Sequence, residues 1–291
     1  MDPSGSPLQS SAQETLAALR EIRRHDELLS GSWRQLLDTT RRRLKGLGDG
    51  RSSHLPLRTA RAAAATAAGE AAQAARFQAR LLKLAPEDLG GARARLEARI
   101  DVVRHAQAEA AGHLNAGVDG LLDELRERIS RDGTVAAGVT RHQLRLADDL
   151  VRAMRAYADR VEQILFDLGD TVHAEFGLSL GAAMPTRVSA QPPRPDLERI
   201  AIDDAARLEA ELADAVWRLV EHYRERLDER VDDAIRALRS SLDRAAEHQR
   251  RGEEHAREQV GELMRQAQRL DAIAEGLDWM LPADLSASGR A

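Results

Sequence analysis

Residues 140–176 read TRHQLRLADDLVRAMRAYADRVEQILFDLGDTVHAEF, and this stretch decides the fold. Its apolar positions Leu144, Ala147, Val151, Met154, Ala158, Val161, Leu165, Leu168 and Val172 advance in steps of three and four. Such steps stack side chains on one face of a helix, whereas a half-buried strand would alternate with period two. The pattern persists for about four heptads, which is the periodicity of a coiled coil or a long bundle helix.

The sequence on both sides carries the same signature. Towards the N-terminus, residues 92–129 place Leu96, Ile100, Val103, Ala106, Ala110, Leu114, Val118, Leu121 and Leu125 at helical spacing, and Asp132-Gly133 breaks the run. Residues 56–84 form an alanine-rich helix whose lack of side-chain bulk lets a neighbour approach closely, with Pro86 and Gly90-Gly91 punctuating its end. Residues 11–47 read as one helix carrying Leu16, Leu19, Ile22, Leu29, Trp33, Leu36, Leu37 and Leu44, stopped by Gly46, Gly48, Gly50 and Pro56.

Towards the C-terminus, Gly177, Gly181, Pro185, Pro192, Pro193 and Pro195 mark a linker. Beyond it Leu208, Leu212, Val216, Leu219, Tyr223, Leu227, Val231, Ile235, Leu238 and Leu242 predict a long helix. The pattern fades around Gly252 and resumes at Val260, so residues 196–281 form either one very long helix or a helical hairpin. The organisation expected is a disordered tail over 1–10, a four-helix N-terminal bundle over 11–178, a Pro/Gly linker over 179–195, the C-terminal helix or hairpin over 196–281 and a polar tail over 282–291. The fold class is all-α, an elongated antiparallel helical bundle or coiled coil of about five long helices.

Composition agrees. Only 3% of the 291 residues are aromatic and the apolar content is largely Ala and Leu, which excludes the aromatic and β-branched strands of a sandwich or barrel. The chain has no cysteine, so disulfides, thiolate metal sites and cysteine nucleophiles are excluded. No apolar run approaches the ~18–20 residues of a membrane span, and the first thirteen residues lack the regions of a signal peptide, so the expected address is the cytoplasm.

The net charge of −5 hides an asymmetry: residues 1–100 sum to +6, 101–200 to −4 and 201–291 to −7. Arg41, Arg42, Arg43, Lys45, Arg51, Arg58 and Arg61 concentrate the positive charge and form a candidate surface for anionic lipid or nucleic acid phosphates, or, the favoured reading, for the acidic C-terminal third of the same chain or of a neighbour. No aromatic residue lies between Trp33 and Phe77 to stack bases, which disfavours nucleic acid. Only Lys45 and Lys83 are lysines, a bias typical of GC-rich coding sequence, so single arginines carry little functional weight.

Catalytic and metal motifs do not assemble. Gly46-Leu47-Gly48-Asp49-Gly50-Arg51-Ser52 lacks the spacing and lysine of a phosphate-binding loop. None of the nine histidines has Glu three residues before it, and Asp170 with His173 is the nearest variant of a di-iron motif. Gly177-Leu178-Ser179-Leu180-Gly181 matches G-x-S-x-G, but a helix precedes it where a nucleophile elbow needs a strand. It reads as a helix-ending turn. The interleaved charges of Arg224 to Arg236 describe a solvated helix face.

Two segments carry a resemblance. Residues 114–129, LNAGVDGLLDELRERI, and 175–180, EFGLSL, followed by Met184-Pro185 and Pro192-Pro193, resemble the helical stalk region of actinobacterial dynamin-like proteins. The resemblance implies a stalk-type, membrane-associated protein that acts with a GTPase partner in membrane remodelling, at a cytoplasmic location peripheral to the membrane. With no phosphate-binding loop, GTP hydrolysis is not carried over. The reading the residues favour is a non-enzymatic scaffold or interaction protein that needs no cofactor. It self-associates or binds a helical partner through seams at Leu144, Val151, Val161, Leu165, Leu212, Leu219, Tyr223 and Leu227. The stalk-type membrane protein and a nucleic-acid-associated protein using the basic patch are the alternatives.

Overall fold

A computed structural model describes residues 7–29, 31–46, 54–132, 139–176, 192–197, 200 and 205–279. Among these the chain is all-helical, with no strand. The elements are α1 (Pro7–Arg23), a 3-10 turn (Asp26–Leu28), α2 (Gly31–Gly46), α3 (His54–Leu81), α4 (Pro86–Asp132), α5 (Val139–Phe176), α6 (Ala205–Arg250) and α7 (Glu253–Trp279). No described helix is long and apolar enough to cross a membrane.

Three boundaries differ from expectation. Residues 11–47 are two helices, not one. The chain tightens into i→i+3 bonds at Arg24, His25 and Leu28, which end α1, and Leu28 and Leu29 are buried just beyond it. Helix α1 begins inside the expected tail, with Pro7 at the first helical position, where its missing N–H costs nothing. Pro86 starts α4 in the same way, followed by Glu87 and Asp88, whose charges suit a helix N-terminus. Gly90 and Gly91 therefore lie inside a helix rather than in a turn.

The 205–279 stretch is two helices. Gly252 has φ +111, a left-handed conformation that L side chains rarely adopt, and it ends α6 as glycine commonly ends helices. Arg251 and Gly252 donate backwards to the carbonyls of Glu247, His248 and Gln249, and the Ala256 N–H opens the next helix on the Gly252 carbonyl.

The chain forms two compact units, and neither follows the expected division at 179–195. Unit 1 comprises Met1–Arg95, Val172–Pro185 and Asp233–Ala291, and unit 2 comprises Leu96–Thr171 and Thr186–Asp232. Each takes segments from both sides of the proposed linker.

In unit 1 the most extensive packing is α3 on α7, with α1 and α2 also on α3. Helix α3 buries Leu57, Arg61, Ala64, Ala68, Ala71, Ala75 and Gln78 in steps of four and three, and Ala60, Ala65, Ala67, Ala72 and Ala79 widen that stripe. A helix apolar over most of its circumference belongs in a core. Helix α7 answers with Ala256, Val260, Leu263, Ala267, Leu270, Ala274 and Leu277 at the same steps, buried or half-buried. Alanine loses no side-chain entropy on burial and brings the two backbones close, so this contact relies on proximity rather than on large side chains. Phe77 and Phe176 meet edge to face at 5.4 Å, and Arg76 pairs with Asp271.

Unit 2 is built from parts of α4, α5 and α6. Leu96, Ile100, Val103, Gln107, Ala110, Leu114, Val118, Leu122 and Leu125 of α4 are buried. Residues 192–197 and Ile200 lie beside the start of α5: Arg194 pairs with Asp148 at 3.1 Å, and Gln143 Nε2 donates to the Ile200 carbonyl at 2.9 Å. Pro192 and Leu197 are buried.

Candidate functional site

The seam residues fall at two kinds of position. Val161, Leu165, Leu212, Tyr223 and Leu227 are buried within the single chain, whereas Leu144, Val151 and Leu219 are half-buried. On α5 the buried stripe is Gln143, Ala147, Leu150, Met154, Tyr157, Val161, Ile164 and Leu168. One expected column, at 144 and 151, is therefore displaced by a residue, and Leu150, Tyr157 and Ile164 were missed. Polar atoms on Gln143 and Tyr157 make those positions read as surface although both point inward.

On α6 the reason is the period itself. Leu212, Val216, Val220, Tyr223, Leu227, Val231, Ala234, Leu238, Leu242 and Ala245 are buried in steps of four, four and three. That eleven-residue repeat, 3.67 residues per turn, follows a nearly straight helix, while a heptad template drifts off it and selects Leu219 instead of Val220.

The buried tyrosine and glutamine meet one carboxylate. Tyr157 of α5 is 3% exposed and donates its hydroxyl to Asp228 Oδ1 of α6 at 2.5 Å. Gln107 of α4 donates to the same oxygen at 2.8 Å. Arg224 lies 3.7 Å from Asp228 Oδ2 and reaches Asn115, and Arg104 bonds Gln107 while pairing with Asp232. Burial first, then the hydrogen bond to Asp228, pushes the Tyr157 hydroxyl far above its ordinary range, and burial also raises Tyr223. A phenol held this firmly in its neutral form is a structural donor, since a tyrosine acting as acid or base would need its pKa brought towards neutral. The sequence signal was Gln107 itself, a polar residue at helical spacing between Val103 and Ala110.

Leu121, Glu124, Leu125, Arg128, His142, Leu146 and Asp149 line a recess at another place in unit 2. It offers about 10 Å³, room for one water at most.

Of the basic set, the side chains of Arg41, Arg42, Arg58 and Arg61 are described. Arg42 and Arg58 are exposed and Arg41 half-exposed, while the side chains of Arg43 and Lys45 and the whole of Arg51 lie outside the described residues. Arg61 is the correction: it is 5% exposed and donates to Ser11, with Nε and Nη2 unpaired. The heptad that buries Ala64 and Ala68 carries Arg61 inward with them.

Asp170 and His173 are both exposed, and among the described residues no three His, Cys, Asp or Glu side chains gather to hold a metal ion. Ser179 with its flanking glycines, and the side chains of Trp33 and Trp279, lie outside the described residues. No protein-family model, curated protein or solved structure matches the chain.

Proposed function

We propose that the protein is a non-enzymatic helical scaffold whose long helices run antiparallel and which self-associates or binds a helical partner. The observation that carries this reading is the Tyr157–Asp228–Gln107 node: the polar side chains that meet inside unit 2 bind one another across three helices, and so fix the register of α4, α5 and α6 against one another. The antiparallel direction is supported by Arg104 to Asp232, Gln107 to Asp228 and Arg126 to Glu209, in which α4 ascends as α6 descends. Arg99 to Asp167 at 4.0 Å sets α4 beside α5.

The seam residues already buried in one chain leave association to outward side chains. Phe166 is 58% exposed on α5 and Val102 53% exposed on α4, near the Arg99–Asp167 pair in sequence on both helices. These are the residues we assign to docking. Sedimentation across a concentration series should show a mass above that of the 32.0 kDa chain, and the double change Val102→Glu, Phe166→Arg should return it to monomer. A monomer at every concentration would remove the self-association form of the proposal. Flotation with anionic liposomes separates the stalk-type membrane reading, whose described surface cations are Arg41, Arg42 and Arg58.

A further inference from the structure

His248 lies in the last turn of α6 and His255 in the first turn of α7, one on each side of Gly252. Their rings face each other with Nδ1 of His248 at 3.1 Å from Nε2 of His255, and the ring centroids are 5.2 Å apart. Both are half-buried. A hydrogen bond between two imidazoles needs one ring nitrogen without a proton, because a charged imidazole offers donors only. The contact therefore exists in no more than one protonation step beyond neutrality.

We propose that this turn is an acid-sensitive latch: the hydrogen bond between His248 and His255 fixes the turn between α6 and α7 at Gly252, and charging both rings releases it. The surroundings favour the neutral pair. Burial, then His255, Arg251 and Arg244 hold the His248 ring below the ordinary histidine range. Glu247 opposes them, but it is paired with Arg250 and Arg251. On α7, Glu253 is paired with Arg257. From the other elements, Glu27 of the 3-10 turn and Arg34 of α2 act on Arg244, Arg93 of α4 pairs with Asp243, and the turn after α3 supplies the Leu84 carbonyl, which accepts from Gln249 at 2.7 Å. The C-terminus of α6 favours a cation while the N-terminus of α7 disfavours one, so the helix ends do not relieve a doubly charged pair. The same arginines make the pair a poor metal site, and two ligands fall short of the four that a structural metal takes.

The sign follows from linkage. A histidine whose folded pKa lies below its unfolded value contributes stability that is present above about pH 6.5 and is lost as pH falls through the folded value. Amide exchange of α7, corrected for the intrinsic rate, should accelerate by about tenfold between pH 7.5 and pH 5 as the turn is released, while α5 serves as the internal control. His255→Gln keeps a hydrogen-bonding side chain without the charge and should flatten that dependence. Ring NMR of the full chain should show His248 titrating below the ordinary histidine range, and His255→Gln should raise it. A His248 ring that titrates within the ordinary range, or α7 exchange that tracks α5 at every pH, would overturn the latch, and both can be read on the unaltered chain.

Discussion

Asp228 Oδ1 accepts from both Tyr157 and Gln107, and a charged acceptor makes such bonds worth more than neutral ones. Tyr157→Phe removes one donor and keeps the ring, so we expect unfolding to cost about 1–3 kcal/mol less, read as a lower urea midpoint at unchanged slope. An unchanged midpoint would show that the bond holds nothing. The phenol also predicts an alkaline limit. Its folded pKa lies above the ordinary 10.0, so the neutral form contributes stability below that pH and loses it as pH rises further. Absorbance titration should find both tyrosines ionising above their unfolded value, since Tyr223 is raised as well. Arg61 shows the opposite case at this scale: a guanidinium carried inward by its position in a heptad, with Ser11 as its partner.

At the scale of a helix, the question is which side of α5 faces inward. Leu150 is fully buried and Leu144 only half-buried, although the apolar pattern of the sequence weights them the other way. Leu150→Ala should cost about 2–5 kcal/mol, the range for a large-to-small change in a packed core, and Leu144→Ala should cost clearly less. Equal losses would restore the column at 144 and 151. That a helix spans 139–176 was legible, because steps of three and four over this length fit nothing else. The inward column was not, because Gln143 and Tyr157 bury polar atoms whose partners, Ile200 and Asp228, are remote in sequence. Nor does a heptad template distinguish 3.5 from 3.67 residues per turn, which moved the α6 stripe from Leu219 to Val220.

For the whole molecule, the decisive feature is that each compact unit draws on both sides of residues 179–195. A protease site inserted between Gly181 and Ser189 should therefore leave two fragments that co-elute under native conditions and separate only in denaturant. Fragments that part without denaturant would show two independent domains joined by a tether. In unit 2 α4 is paired with both α5 and α6, and Pro192 and Leu197 are buried. The sequence by itself determined the all-helical class, the helical faces and the alanine-rich α3, since these follow from local propensity and from spacing along one chain. Which faces meet, that the Pro-rich stretch ends packed against the unit, and that Tyr157, Gln107 and Asp228 share one bond network were decided only by the tertiary structure. These depend on groups up to 121 residues apart, and their meeting leaves no periodic trace in the sequence.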